Sequence, residues 1–227
     1  MRILLLSLTV AVTAVAANPD LLKARDAQDR AALDRIAQAY AAAAEKSPGD
    51  AKAQYEAALA YSYAAEVATE SHDKGQAKSA GEAGIRSAEK AIALNTSSAE
   101  YHRILGTLCG QVIPGNVFLA MKYGRCALDE VNKAIQLDGR SAEAYLSRGV
   151  GNYYMPSSFG GGTDPAIKDF EKAIQMDPKL ADAYLWLGVA LRKAGRNAEA
   201  HNALEKAVQL NPRRVWAKQQ LEKTPAK

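Results

Sequence analysis

The chain has 227 residues, of which 48% are hydrophobic, 7% aromatic and 24% charged. This composition suits packed helices and excludes a disordered chain, because it supplies enough apolar surface for a core. With 29 basic against 25 acidic residues, the charge balance gives no electrostatic reason to expect nucleic acid as a partner.

The first segment of the chain predicts a secretory signal peptide over residues 1–17. It contains one basic residue, Arg2, then an apolar run over residues 3–12 and small residues that fit cleavage after Ala16 or Ala17. The alternative is an N-terminal membrane anchor, which needs a longer apolar run to cross about 30 Å of hydrocarbon. We therefore expect cleavage, a mature chain without a membrane span, and a periplasmic or secreted location.

The mature chain is predicted to be all-α, with about ten helices and no strands. Residues 18–48 are expected to form an N-terminal capping helix, which runs from Asp20 to Glu45 and places Ile36 and Tyr40 on one apolar face. That face can cover the first of the helix pairs that follow.

The rest of the chain repeats itself. The segments "AIALNT", "AIQLDG", "AIQMDP" and "AVQLNP" align, and each one closes a predicted pair of helices. The four repeats span residues 51–96, 99–139, 142–178 and 181–214. Residues 215–227 are predicted to form a C-terminal capping helix, in which Trp216 and Leu221 can cover the last pair.

The last copy resembles a tetratricopeptide repeat (TPR) along its whole length. Its signature positions are Tyr184, Leu187, Gly188, Leu191, Ala200, Leu204, Ala207 and Pro212. The small residues Gly188 and Ala200 let two helices approach closely, and the leucines recur at helical spacing to fill the seam between them. The resemblance implies a right-handed solenoid of helical hairpins.

The repeats are unequal in length. The closing positions of successive copies are 48, 43, 39 and 34 residues apart, and only the last spacing equals the usual 34 of this repeat. The extra residues fall between the two helices of each pair, on one edge of the solenoid. In the third copy, Pro156 ends the first helix and Phe159 can fold back from a glycine-rich loop. This loop is either a spare surface insertion or a wall beside the inner face.

The resemblance also places the first helix of each pair on a concave inner face. With Phe159 of the insertion, it gives eight candidate binding residues: Tyr55, Tyr63, Arg103, Gln111, Tyr153, Tyr154, Phe159 and Arg192. Tyrosine offers rigid contact area with a polar tip, which suits peptides or small amphiphilic ligands. The alternative is that half of these tyrosines fill helix contacts.

The sequence contains no pattern typical of an enzyme or of a metal or cofactor site. His72, His102 and His201 are spread over different repeats, lack metal-ligand spacing and are predicted to lie on the surface or in turns. The acidic residues are distributed along helix faces rather than paired in a pocket. We therefore expect a protein without catalytic activity, cofactor or metal.

Cys109 and Cys126 are the only cysteines. Cys109 lies near the end of one predicted helix, and Cys126 lies in the facing part of its partner, so the fold can bring them together. An exported protein would permit a disulfide between them. The alternative is two small buried thiols.

Two functions follow from the sequence. The first is a scaffold that binds a partner protein or peptide on its concave face. The second is a carrier of a small apolar ligand, favoured by a weaker resemblance of "YYMPSSFGGG" and the lengthened repeats to the T component of bacterial TRAP transporters. That resemblance implies a ligand cavity and association with a substrate-binding subunit.

Overall fold

Helices make up the structure, a computed structural model that describes residues 18–113 and 116–226. These ranges contain eleven α-helices and no strand, which confirms the prediction of an all-α fold; the predicted signal peptide lies outside them. No helix in the described part is both long and apolar enough to cross a membrane. The helices are α1 (Pro19–Asp26), α2 (Arg30–Lys46), α3 (Ala51–Glu70), α4 (Lys74–Leu94), α5 (Ala99–Gln111), α6 (Val117–Leu137), α7 (Ala142–Tyr154), α8 (Thr163–Met176), α9 (Ala181–Lys193), α10 (Asn197–Leu210) and α11 (Val215–Glu222).

The N-terminal cap consists of two helices rather than the single one expected. Gln28 adopts a left-handed backbone conformation with φ of 55°, which ends α1. Asp29 then starts α2, because its side chain accepts a hydrogen bond of 2.9 Å from the backbone N–H of Ala32. Because the chain turns at this break, α1 does not continue the axis of α2, and it contacts α3.

Four helix pairs follow, α3 with α4, α5 with α6, α7 with α8 and α9 with α10. The helices of a pair approach closely where the first one carries glycine. A Cβ atom at Gly188 would lie 2.5 Å from Leu204 Cγ and 3.0 Å from the carbonyl oxygen of Ala200. At Gly106, a Cβ atom would lie 2.6 Å from Val131 Cγ2. Any larger residue would force these pairs apart.

The extra residues of the longer repeats lengthen helices on one edge. Helices α3, α4 and α6 have 20, 21 and 21 residues, whereas α9 and α10 have 13 and 14. In the third pair, a short 3₁₀ turn (Ser157–Phe159) follows α7, and Gly160 and Gly162 take φ values of 84° and 111°. The Pro-Gly pair at residues 114–115 predicts a break between the helices of the second pair, and these two residues lie outside the described part.

A disulfide joins the second pair. The Sγ atoms of Cys109 in α5 and Cys126 in α6 are 2.02 Å apart, and the two Cα atoms are 6.0 Å apart. Cys109 is 1% exposed, so the bond lies against the core. It fixes the rotation of α6 about its own axis relative to α5.

The two ends of the solenoid meet. Asn211, after α10, donates a hydrogen bond of 2.9 Å to Asp26 at the end of α1. Gln219 in α11 donates to Gln28 at 3.1 Å, and the buried side chain of Arg214 donates to the carbonyl oxygen of Arg25 at 3.2 Å. The superhelix is therefore closed on itself.

Candidate binding surface on the inner face

The first helices of the four pairs follow one another along the solenoid. Helix α3 contacts α5, α5 contacts α7, and α7 contacts α9. We call the side that these helices turn toward the axis of the solenoid the inner surface. Seven of the eight candidate residues lie on these helices.

Tyr55 and Arg103 are used for contacts between helices. Tyr55 is 3% exposed, and its hydroxyl donates a hydrogen bond of 2.7 Å to Glu100. Arg103 binds the same carboxylate at 2.7 Å and reaches Ser147 of α7 at 3.3 Å. Burial acts to raise the pKa of Glu100, but Arg103 and the Tyr55 hydroxyl outweigh it and lower that pKa. This network ties α3, α5 and α7 together and leaves neither candidate free.

Tyr63 and Gln111 are also occupied. The guanidinium group of Arg25, from α1, lies 5.2 Å from the centre of the Tyr63 ring. Burial raises the pKa of the Tyr63 hydroxyl, as expected for a covered phenol. The Gln111 side chain accepts a hydrogen bond from the Ser62 hydroxyl and donates one to the Ser62 carbonyl oxygen, both at 3.2 Å.

A cluster of buried charges beside Tyr63 joins the two ends of the solenoid. Arg25 binds Asp182 of α9 at 2.8 Å, and Arg214 binds Glu66 at 2.8 Å while also contacting Glu70. The Arg214 side chain is 1% exposed. We call this group the closure cluster; it consists of Arg25, Asp26, Glu66, Glu70, Asp182 and Arg214.

The closure cluster contains four carboxylates and two guanidinium groups. Burial raises the pKa of Glu70 to about 7, against the opposing effect of Arg214 and with the help of Glu66. The Nε atom of Arg214 is buried without a hydrogen-bond partner in the structure, although Asp182 lies 3.7 Å away. Four carboxylates thus face only two guanidinium groups, so the stability of the cluster depends on Arg214.

An aromatic platform occupies the other part of the inner surface. The ring centre of Trp186 in α9 lies 5.7 Å from that of Tyr153 and 6.0 Å from that of Tyr154, both in α7. Tyr154 keeps 52% of its surface exposed. Lys193 lies 4.2 Å above the Tyr153 ring and donates a hydrogen bond of 3.1 Å to its carbonyl oxygen. We call Tyr153, Tyr154 and Trp186 the aromatic platform.

Trp186 was not among the sequence candidates. It lies seven residues before Lys193 in α9, which places both side chains on the same side of the helix, and this helical spacing is the signal that could have identified it. Trp216 of α11 packs behind it, with ring centres 5.1 Å apart. This support holds the platform rigid from below.

Arg192 is not free either. Its guanidinium group donates to Thr224 at 2.8 Å and to the side chain of Gln220 at 2.6 Å. The residue therefore fastens α11 and the C-terminal segment to α9. It cannot serve a partner without releasing that segment.

The interpretation of the glycine-rich loop as a wall beside the inner face stays a prediction. Phe159 is 76% exposed and forms no aromatic pair within the described residues. The loop instead packs back through Gly161, where a Cβ atom would clash with the carbonyl oxygen of Met155. The phenyl ring of Phe159 itself is left largely exposed to solvent.

The histidines do not form a site. His102 was predicted at the surface but is 8% exposed, with Nδ1 2.6 Å from Glu130 and Nε2 3.0 Å from the carbonyl oxygen of Thr96. Both ring nitrogens are thus satisfied, which explains its burial. Within residues 18–113 and 116–226, no group of three or more potential metal ligands is found.

Comparisons with known proteins agree with the fold. A family profile described as tetratricopeptide repeat matches residues 163–221. The crystal structure of TTC0263, a thermophilic TPR protein in Thermus thermophilus, is 16% identical with a TM-score of 0.61, covering 88% of this chain and 99% of that one. This similarity shows a shared fold along most of the chain.

Two further solved structures are similar at lower TM-scores. MamA is 25% identical with a TM-score of 0.47, covering 82% of this chain and 92% of its own. YrrB, described as a TPR protein with an unusual peptide-binding site, is 20% identical with a TM-score of 0.45, covering 82% and 99%. No curated protein matches the chain.

Proposed function

We propose that this chain, a tetratricopeptide repeat protein, is a non-enzymatic scaffold that binds a partner protein or peptide on the aromatic platform of its inner surface. The observation that carries the proposal is the half-exposed ring of Tyr154, held edge-on against Tyr153 and Trp186. Tyrosine and tryptophan dominate binding hot spots because they bury a large area with little loss of side-chain freedom. A platform fixed before binding adds little further ordering cost.

The chemistry around the platform suggests the partner. Lys193 is exposed and uses one of its three N–H donors on the Tyr153 carbonyl oxygen, which leaves two donors for a ligand. An apolar or aromatic side chain stacked on Tyr154, next to a carboxylate that meets Lys193, would satisfy both groups. We therefore propose a peptide segment with an apolar residue beside an acidic one.

The small-ligand alternative has less support. It needs the glycine-rich loop to wall a cavity, and Phe159 in that loop is 76% exposed. The resemblance to the TRAP T component stays a prediction. The scaffold is favoured because its contact residue, Tyr154, is accessible without any rearrangement.

We further propose that the protein is exported to the periplasm or secreted. The apolar run over residues 3–12 and the small residues at 16 and 17 support this location. Mass analysis of the protein from fractionated cells should show a chain that begins near Asn18. Recovery in membranes alone, with Met1 retained, would contradict export with cleavage.

Peptide selection tests the binding site. A random peptide library is selected on the immobilised mature protein, and the affinity of a selected peptide is measured by fluorescence anisotropy. Tyr154→Ala should weaken binding by about tenfold or more, the scale of an aromatic hot spot. Phe159→Ala is the matched control, since it removes an exposed aromatic ring outside the platform. Equal binding by wild type and Tyr154→Ala would refute the site.

A further inference from the structure

Exposed apolar side chains are concentrated on the edge that carries the insertions. Among the described residues, the four most exposed large hydrophobic ones are Val117 at 75%, Phe118 at 82%, Met121 at 78% and Phe159 at 76%. The first three lie in the first turns of α6 and Phe159 lies in the turn after α7, so each follows the first helix of its pair. Single exposed apolar residues are ordinary, but a concentration on one edge marks an interaction site. We call these four residues the apolar edge.

The first turns of α6 expose their apolar side to solvent because the opposite side of the helix is attached to α5. Val117, Met121 and Leu128 recur on one side of the helix at helical spacing. Cys126 lies on the opposite side, where the disulfide holds it against α5. Tyr123 and Ala127 also pack against the core from that opposite side. The apolar side of α6 therefore cannot rotate inward to be buried.

The two charged residues in the first turns of α6, Lys122 and Arg125, are positive, and no acidic residue occurs between Ile113 and Leu128. Two acidic groups lie close by, Asp129, which pairs with Arg125, and Glu82 of α4, which accepts a hydrogen bond of 3.4 Å from the Tyr123 hydroxyl. Arg125 is 91% exposed and lies 3.5 Å from Asp129, a solvent-exposed pair that leaves the guanidinium accessible. The amino-terminal end of α6 adds a partial positive charge.

The exposure and the charge of the apolar edge indicate which kind of partner it binds. Exposures of 75% to 82% show that the apolar side chains project into solvent, which suits insertion into a lipid surface. A second copy of the chain would bring like charges together at Lys122 and Arg125. An anionic lipid surface fits both features, because its acyl region accepts projecting apolar side chains while its headgroups bind lysine and arginine.

We propose that the apolar edge docks the protein on an anionic phospholipid surface, with Phe118 and Met121 inserted and Lys122 and Arg125 at the headgroups. This role uses a different surface from the aromatic platform. A docked molecule keeps its inner surface available to a partner.

Vesicle flotation with the full mature chain tests the proposal. The protein should float with vesicles that contain phosphatidylglycerol and should bind pure phosphatidylcholine vesicles at least tenfold more weakly. Added salt should also weaken binding, because the headgroup attraction is screened. Replacing Phe118 and Met121 together by serine should reduce the partition coefficient at least tenfold, and Arg125→Ala about fivefold.

Matched variants separate lipid docking from loss of fold and from peptide binding. Leu94→Ser and Leu137→Ser remove exposed apolar residues outside the edge and should leave flotation unchanged. The double serine variant should keep its helical circular dichroism and its affinity for a selected peptide. Equal binding to neutral and anionic vesicles, or no binding to either, would overturn the proposal. Concentration-dependent dimers that the serine variant abolishes would overturn it in favour of a second copy.

Discussion

The two parts of the inner surface differ in how accessible they are to solvent and to partners. In the part formed by α3 and α5, Arg25 lies 5.2 Å from the ring centre of Tyr63, and burial raises the pKa of that tyrosine. In the part formed by α7 and α9, Tyr154 is 52% exposed beside Trp186. Equivalent positions in the repeat are therefore not equally available, because closure of the superhelix decides which of them solvent and partners can reach.

The closed part should depend most strongly on Arg214. Arg214→Ala leaves Glu66, Glu70 and Asp182 buried with one guanidinium group, which should lower the free energy of unfolding by about 3–5 kcal/mol. Urea denaturation followed by circular dichroism measures the change. Arg213→Ala, at the exposed neighbour, is the control and should cost no more than about 0.5 kcal/mol. Equal effects of the two variants would show that the cluster does not hold the ring closed.

Loss of the disulfide should destabilise the part formed by α3 and α5 and should leave the aromatic platform unchanged. The sequence separation of the linked cysteines is 17, and removing such a link should cost about 3 kcal/mol. Thermal unfolding of wild type and of the Cys109→Ala/Cys126→Ala variant measures this loss. Both tryptophans, Trp186 and Trp216, lie at the platform, so the fluorescence of the folded variant should match that of the wild type. Free thiols in the native exported protein would contradict the bond.

The closure cluster should also make stability depend on pH, with a smaller effect. The folded protein holds the Glu70 proton more tightly than the unfolded chain, since the pKa rises from 4.5 to about 7. Its contribution is thus fully present below about pH 4.5 and is lost as pH rises through about 7. The difference in unfolding free energy between wild type and Glu70→Gln should fall across this window. A constant difference from pH 5 to 8 would contradict the raised pKa.

The helix pairs could be predicted because their signals are local. Gly188 and Ala200 set the close approach of α9 and α10, and caps such as Ser98 and Ser141 start helices with hydrogen bonds to their own neighbours. The broken N-terminal cap was missed, since the φ of 55° at Gln28 follows from packing of α1 rather than from a turn residue.

The candidate site was predicted less completely. The resemblance located Tyr153 and Tyr154, but the closure cluster joins Arg25 to Arg214 across 189 residues. That contact depends on the rotation accumulated over all the repeats, which no short pattern contains. His102 was misplaced for a similar reason, because its partner Glu130 is 28 residues away on the next helix.

Hydroxyl-radical footprinting of the ten tyrosines, with mass spectrometry of the peptides, tests the division of the inner surface most directly. Side chains react according to the surface that they expose to water. The closed ring predicts that Tyr154, at 52% exposure, is oxidised several times faster than Tyr63, which Arg25 covers, and that a bound peptide protects Tyr154 alone of the two. Oxidation of Tyr63 as fast as Tyr154 in the free protein would show an open inner surface and contradict the account.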